Sequence, residues 1–591
     1  MQTLLDRLPL FVLLRREFEG YSLVRFRQDL LAGITVGAVS LPLALAFGVA
    51  SGADAPAGLV TAILAGVIIG GLGGAAYQIS GPTGAMSAVL LGLAGRYGLE
   101  GVWIATLLAG MMLIMLGLFR MGRYVTFIPS PVIAGFTSGI ALIIAIGQLD
   151  NVLGVTTPRA ENAIEKLIHY FTHPVVPNWH TLALAAVVMA TMIVLPRFTR
   201  AIPGSLVGII VATALSLTLG WQVPIIGDIP RTILLDHRLA WASIPWNHLS
   251  ELLAPAVSIA ALAAIESLLC GSVGATMSGK PFDSNQELIG QGVGNLLIPF
   301  FGGVPATAAI ARTSVAIKSG AVTRVTSLIH SLLLLLSALI LAPAIRYVPL
   351  SALGGVLLVT AWRMNEWESI HFFVNTRLKH AIVGFAITML ATAALDLTQA
   401  ILIGLAISAI IYLRQSATST AVTSAPVNPE FLQAQGMPIT ASCPSIHVYY
   451  LTGPVFFGSV TTVLEAFETA GDYHSLVISM RGVPLVDAMG VQALRQIVEE
   501  HHARGGEVMF TALQPSVMDM FRRTGLLDLV GPKNIFWSSA YAIIELHEQR
   551  MVAGCPQCDR HGRPCAVLQM ARERLAREVQ PGSSPPATTT A

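Results

Sequence analysis

The sequence predicts an α-helical polytopic membrane protein with a small soluble α/β domain at its C-terminal end. Three observations predict it. Hydrophobic residues make up 54% of the 591 positions and charged residues only 12%, a balance that ordinary soluble proteins do not have. The apolar blocks are confined to about 30–413. Beyond them, strand-like and helix-like stretches alternate, the pattern of an α/β layer.

Taken in order, residues 1–28 form a polar, charged N-terminal segment with no apolar core of the kind a cleavable signal peptide needs. Fourteen apolar segments follow, near 30–50, 57–75, 83–97, 102–119, 128–147, 179–196, 202–220, 253–276, 285–301, 306–318, 325–343, 350–364, 380–396 and 398–413. They fall into two halves, 29–220 and 253–413, of seven segments each. An odd number makes the second half enter the membrane in the opposite sense, an inverted repeat. The connections near 150–178 and 221–250 are longer, with Pro174, Pro177, Trp179, Trp221 and Trp246 as interfacial turns and anchors.

Basic residues set the orientation. Arg15, Arg16, Arg25, Arg27, Arg120, Arg123, Arg197, Arg200, Lys318, Arg377 and Arg414 all fall on one side, which is therefore the cytosolic side. Both termini are expected there, in a cytoplasmic membrane. The net charge of +2 gives no basic surface for nucleic acid, and five cysteines are too few for a disulfide framework.

Two of the segments are too short to span and carry matching polar breaks, ISGPTGAMSAVLLGLAG (79–95) and FGGVPATAAIARTSVAI (301–317). Spanning takes about 20 apolar residues, and irregular backbone at membrane depth survives where it lines a cavity. Each break is the third segment of its half, so inverted topology points two half-helix N-termini at each other. Such ends carry unsatisfied N–H groups and partial positive charge, which suits an anion. Thr83, Gly84, Ala85, Ala308, Ala309, Ile310 and Ala311 would present amides, and Thr83 and Thr307 hydroxyls. The plainer reading is that Gly and Pro accommodate kinks and packing. Arg312, the cation inside a predicted span, would add positive potential; snorkelling or pairing with Glu266 is its structural alternative. Glu266 lies in the nearly uncharged ALAAIESLLCGSVGA, where a carboxyl can carry a proton. A permanent pair with Arg312 or a capping role is the alternative.

These residues resemble the SulP anion permeases, whose animal members form solute carrier family 26. The resemblance covers about 25–545 and rests on DLLAGITVGAVSLPLALAFGVASG (29–52), QISGPTGAM (78–86), AAIESLL (263–269) and GGVPATAAIART (302–313). It implies a seven-plus-seven repeat, a core moving against a gate in elevator fashion, and a homodimer. It implies that the first segment is interrupted near Pro42 and that Phe47 faces the substrate, though packing is the commoner role of such a Phe. Leu43 stands where many relatives carry Gln, leaving a more apolar wall suited to a small anion. It also associates Glu266 with the coupling ion, a proton ahead of sodium. Sulfate or bicarbonate lead as substrates and a C4-dicarboxylate follows, by symport or exchange. A nucleobase permease of the same architecture and a non-transporting sensor are the rival readings. No nucleophile–base set or phosphate cradle suggests an enzyme.

After a linker (415–444), residues 445–549 resemble a STAS domain, a dimer-contact and regulatory module open to a cytosolic regulator. Its loop VDAMG (486–490) carries Ala488 where related anti-sigma-factor antagonists carry a phosphorylated Ser, and Asp487 reads as a helix cap. In the tail (550–591), Cys555, Cys558, His561 and Cys565 are compatible with tetrahedral zinc. An iron–sulfur or redox role and free thiols are the alternatives, and transport needs no cofactor there.

Overall fold

The computed structural model describes residues 9–123, 129–157, 163–172, 175–199, 203–228, 230–240, 250–395, 397–427, 443–468, 475–546, 573 and 576. The chain divides into two units, Met1–Ser408 and Ala409–Ala591.

The first unit is helical. It begins with α1 (Pro9–Glu17), α2 (Leu23–Ala50) and α3 (Ala55–Leu72), followed by the two-residue strand β1 (Ser80–Gly81). Next come α4 (Gly84–Leu118), α5 (Ser130–Gly147), α6 (Leu149–Leu153), α7 (Ala163–Thr172), α8 (Trp179–Phe198) and α9 (Gly204–Thr218). The second half holds α10 (Leu253–Ser278), α11 (Ser284–Leu297), a short 3₁₀ turn (Ile298–Phe301), β2 (Thr307–Ala308) and α12 (Ile310–Lys318). It closes with α13 (Val325–Ile345), α14 (Leu350–Met364), α15 (Trp367–Asn375), α16 (Lys379–Ala394) and the first part of α17 (Leu397–Ser419), a helix that continues past Ser408 into the second unit. Among the described residues, eight helices are long and apolar enough to cross a bilayer unaided. Large apolar side chains such as Phe198, Leu332, Ile340 and Leu402 stay exposed on the outside, as a protein in lipid requires.

All fourteen expected segments fall on helices, with two changes of detail. The third and fourth run together as α4, broken at Gly98, whose φ of 69° and ψ of 178° are outside helical geometry. Only Gly takes that conformation cheaply, so the half-helix 84–97 can turn back without a loop. The first segment is not interrupted. α2 continues through Pro42, because a proline removes one backbone bond and its neighbours in a packed bundle hold the rest.

Two bodies of helices emerge from the packing. In one, α4 packs on α10 and α11, while α13 packs on α2 and α3. In the other, α5 packs on α16, and α8 on α9 and α14. Small residues let backbones touch within the first body. A methyl on Gly66 would lie 2.0 Å from Ser331 Oγ, and one on Gly110 would lie 2.8 Å from the Gly292 carbonyl oxygen.

The first body is also fastened at one end by buried charge. Asp29 accepts from the Val322 and Thr323 amides (2.7 and 2.9 Å), the Thr323 and Thr326 hydroxyls (2.6 and 2.8 Å) and the Tyr21 hydroxyl (3.0 Å). Beside it, Arg324 pairs with Glu17 at 2.8 Å and donates to the Gly71 carbonyl at 2.6 Å. These contacts clamp α1 and the start of α2 onto the start of α13.

In the second unit, a five-stranded sheet runs in the order β3 (Ala421–Val427), β4 (Cys443–Thr452), β5 (Ser475–Gly482), β6 (Glu507–Thr511) and β7 (Ile535–Phe536). β3 is antiparallel to β4, and the remaining pairs are parallel. Its helices are α18 (Val460–Glu468), α19 (Ala488–Ala503), α20 (Pro515–Arg523), α21 (Leu526–Val530) and α22 (Ser539–Glu545). One expectation changes here. Residues 415–427, read as linker, hold the end of α17 and edge strand β3. After β4, Val455 and Val486 form an isolated bridge. Val422 and Thr423, with Val427 at the end, supply the β-branched content that makes a strand out of a Ser/Thr/Ala-rich run.

Candidate functional site

The two polar breaks meet inside the first unit. β1 and β2 pair antiparallel, with Ser80 opposite Ala308 and Gly81 opposite Thr307. Immediately after them, α4 starts at Gly84 and α12 at Ile310. Two helix N-termini therefore begin within three residues of one crossing, each with amides that no helical carbonyl can satisfy.

Which amides remain free follows from the hydrogen bonds. Ala308 N–H donates to Ser267 Oγ (3.3 Å) and Ala309 N–H to the Ile79 carbonyl (3.0 Å). Ala308 sits in β2 and Ala309 is the extended N-cap of α12, so neither is an end-of-helix donor as expected. Among the described residues, no acceptor meets the amides of Gly84 and Ala85 on α4, or of Ile310, Ala311 and Arg312 on α12. The threonine hydroxyls are committed too. Thr83, N-cap of α4, donates to Glu266 Oε2 at 2.9 Å and accepts from Met86 N–H at 3.4 Å. Thr307 Oγ1 shares a bond with Ser267 Oγ at 3.0 Å. A buried hydroxyl must be satisfied where it stands, and here protein groups partner both.

Arg312 is 1% exposed, which rules out snorkelling. Its Nη2 donates to the Pro82 carbonyl at 2.7 Å, whereas buried Nη1 has no protein partner. Arg312 thus reaches from the second break to the first, and no ion pair joins it to Glu266 among the described residues. Gly81 is needed for this reach: a methyl there would lie 2.8 Å from Arg312 Nη1. Glu266 instead hangs from Thr83, which places a carboxyl at the cap of one half-helix and a guanidinium on the first turn of the other.

Phe47 is buried and lies over the start of α4. A methyl on Gly84 would meet Phe47 Cε1 at 3.2 Å, Met364 Sδ at 2.9 Å and Ile144 Cδ1 at 2.7 Å. Phe47 belongs to the body that carries the two half-helices; Ile144 on α5 and Met364 on α14 belong to the other. The amide end of α4 accordingly faces an apolar wall where the two bodies meet.

Sequence reasoning passed over Ile144 and Met364, two apolar residues in apolar segments that carry no distinguishing signal. It also passed over Glu287, Gln291 and Asn295, which did carry one: polar residues four apart in an apolar helix. Asn295 clasps the second break, its Nδ2 donating to the Ala306 carbonyl (2.9 Å) and its Oδ1 accepting from the Ala306 amide (2.8 Å). Glu287 accepts from the Gly74 amide (2.8 Å) and from Gln78 Nε2 (2.7 Å), just ahead of the first break. In the second unit, Asp487 caps α19, accepting from Gly490 N–H at 2.7 Å, and also holds Phe457 N–H at 3.1 Å. Cys555, Cys558, His561 and Cys565 lie outside the described residues.

The fold defines a polytopic membrane protein with two half-helices meeting inside its helical unit. The sulfate permease family profile matches residues 26–391, and the chain belongs to that family; a STAS domain matches residues 438–542. YvdB of Bacillus subtilis, a candidate sulfate transporter by name, is 32% identical over 532 residues, covering 88% of this chain and 97% of its own. The bicarbonate transporter BicA of Synechocystis is 30% identical over 508 residues, 82% of this chain and 88% of its own. The inward-facing structure of murine solute carrier 26 family member A9, an anion transporter, shares the fold: TM-score 0.79 at 19% identity, covering 92% of this chain and 94% of that one. The family's members with names of this kind are transporters rather than enzymes.

Proposed function

We propose that the protein is a secondary transporter of a small anion, sulfate or bicarbonate ahead of a C4-dicarboxylate, driven by proton symport. The observation that carries this reading is the β1–β2 crossing, which delivers two helix N-termini to one place beside Glu266 and Arg312. A dehydrated anion needs fixed positive potential, and the free amides with Arg312 Nη1 supply it. Glu266 hangs one hydroxyl away from the same helix cap. When a proton reaches it as the anion arrives, a like-charge repulsion disappears, and that coupling makes the two solutes travel together. Relatives named for sulfate and for bicarbonate support the substrate class.

In this reading the body holding α2–α4 and α10–α13 slides as an elevator against the body holding α5, α8, α9, α14 and α16. The protein lies in the cytoplasmic membrane as a homodimer with both termini in the cytosol, and the STAS domain regulates. The test is uptake of labelled sulfate, bicarbonate and succinate into proteoliposomes, each with and without a proton or sodium gradient. One anion should accumulate with the proton gradient, and Glu266→Gln should abolish that dependence while anion binding persists. Accumulation driven by sodium alone, or unchanged proton dependence in Glu266→Gln, would refute the coupling. Binding without flux of any anion would refute transport.

A further inference from the structure

The first unit buries a second carboxyl that the transport reading does not use. Glu287 lies one turn into α11 and is 1% exposed. Its Oε2 accepts from the Gly74 amide (2.8 Å), and its Oε1 accepts from both Gln78 Nε2 (2.7 Å) and Gln291 Nε2 (3.0 Å). The Gln291 nitrogen also reaches Ser80 Oγ at 3.2 Å, the first residue of β1. Glu287 is therefore two hydrogen bonds from the strand crossing that places the half-helices.

The donors and acceptors around it are unequally shared. Three N–H groups converge on the carboxyl, while the carbonyl oxygens of the same two glutamines, Gln78 Oε1 and Gln291 Oε1, are buried without any protein donor. An unsatisfied buried acceptor costs about 1–3 kcal/mol, and polar networks at depth are normally complete. One change gives one of these two oxygens a donor with no movement of backbone, its NH2 turning to where the oxygen stood. A proton on Glu287 turns an acceptor into an O–H donor, and rotation of one amide offers its oxygen to that donor.

Other ionisable groups frame the site. Arg324 Nη1 stands 3.4 Å from the Gly73 carbonyl, on the far side of a residue whose added methyl would lie 2.7 Å from Glu287 Oε2. Tyr77 lies on the same connection, and Cys270 and Glu266 on α10. Asp283 caps α11, Lys280 lies just before it, and Arg120 and Arg123 follow the end of α4 near Asn285. α3 has no ionisable side chain, and those of α4, Arg96, Tyr97 and Glu100, flank its break at Gly98.

We propose that Glu287 is a second proton-binding carboxyl, and that its protonation switches the Gln78 and Gln291 amides between two hydrogen-bonded arrangements, one of which holds Ser80 in the β1–β2 crossing. The proton arrives from water at the Asp283 end of α11 and returns there; only O–H bonds form and break. The flux readout rests on the proton-coupled reading, whereas the protonation itself does not.

The experiment is pH-difference infrared spectroscopy on the full-length protein in lipid, paired with uptake measured against the pH on the Asp283 side. A carbonyl band of a protonated, hydrogen-bonded carboxyl should appear in the wild type, persist in Glu266→Gln and vanish in Glu287→Gln. In Gln291→Leu the band should shift, because a partner is gone; this arm keeps the test valid if Glu287→Gln does not fold. Uptake by Glu287→Gln should lose its dependence on pH at that face, and Glu287→Asp should keep it. A band unchanged in both Glu287→Gln and Gln291→Leu overturns the proposal, as does uptake lowered by the same factor at every pH. If the band behaves as expected but no proton gradient drives uptake, the symport reading fails and the proton site stands.

Discussion

Replacing Gly84 with Ala places one methyl group where the leftover amides of α4 open onto the boundary between the two bodies. The added carbon would sit 2.7 Å from Ile144 Cδ1, 2.9 Å from Met364 Sδ and 3.2 Å from Phe47 Cε1. The two closest atoms are the ends of flexible side chains, so the fold can yield. Overpacking costs about 1–3 kcal/mol, and up to about 1 kcal/mol returns because Ala is the better helix former. The effect on binding is larger. A hydrogen bond to a charged partner is worth about 1.5–3 kcal/mol, and each 1.4 kcal/mol is tenfold. Losing one amide–anion bond under the methyl therefore weakens affinity by roughly 10- to 150-fold. Titration calorimetry with sulfate and bicarbonate measures it, alongside the melting temperature. Gly95 supplies the control on the same helix, since a methyl there meets nothing within 4 Å. Gly95→Ala should leave affinity unaltered. Equal affinities in wild type and Gly84→Ala would remove the anion from the end of α4 and refute the site.

Two further outcomes are expected. Arg312→Ala should weaken anion binding at least about tenfold, the equivalent of one charged hydrogen bond, and an unchanged dissociation constant would leave Arg312 only its bond to Pro82. Asp29→Ala strips the common acceptor from two amides and three hydroxyls. It should destabilise the protein by about 3–5 kcal/mol, the range of disrupted buried networks, with Asn recovering part. A melting temperature within a degree of wild type would show that the clamp contributes nothing.

Much of this was legible from periodicity and punctuation. Long apolar runs forced helices, and the paired breaks announced where backbone leaves the helix, because both signals are local. What escaped depends on partners distant in sequence. Thr83 looked like a ligand donor until Glu266, far along the chain, claimed its hydroxyl. Pro42 looked like an interruption because the neighbours that hold α2 straight come from other segments. Ile144 and Met364 matter through their position opposite Gly84, and nothing about an apolar residue in an apolar helix records that. Glu287 is the exception: its spacing with Gln291 and Asn295 was visible and deserved the weight given to Glu266. The 415–427 stretch misled by composition, since Ser, Thr and Ala suit both a linker and an edge strand, and only its register against β4 decides.

The pairing of Ser80 with Ala308 and of Gly81 with Thr307 joins the two repeats where each has given up helical structure. Such a stitch makes the cradle a single piece of backbone rather than two jaws. If the proposed transport holds, a cargo bound there would meet the same donors whichever side of the membrane its vestibule opened to, and the cradle itself would have no preferred direction. Vectorial movement would then come from the gradients outside it, and reversing a gradient should reverse the flow.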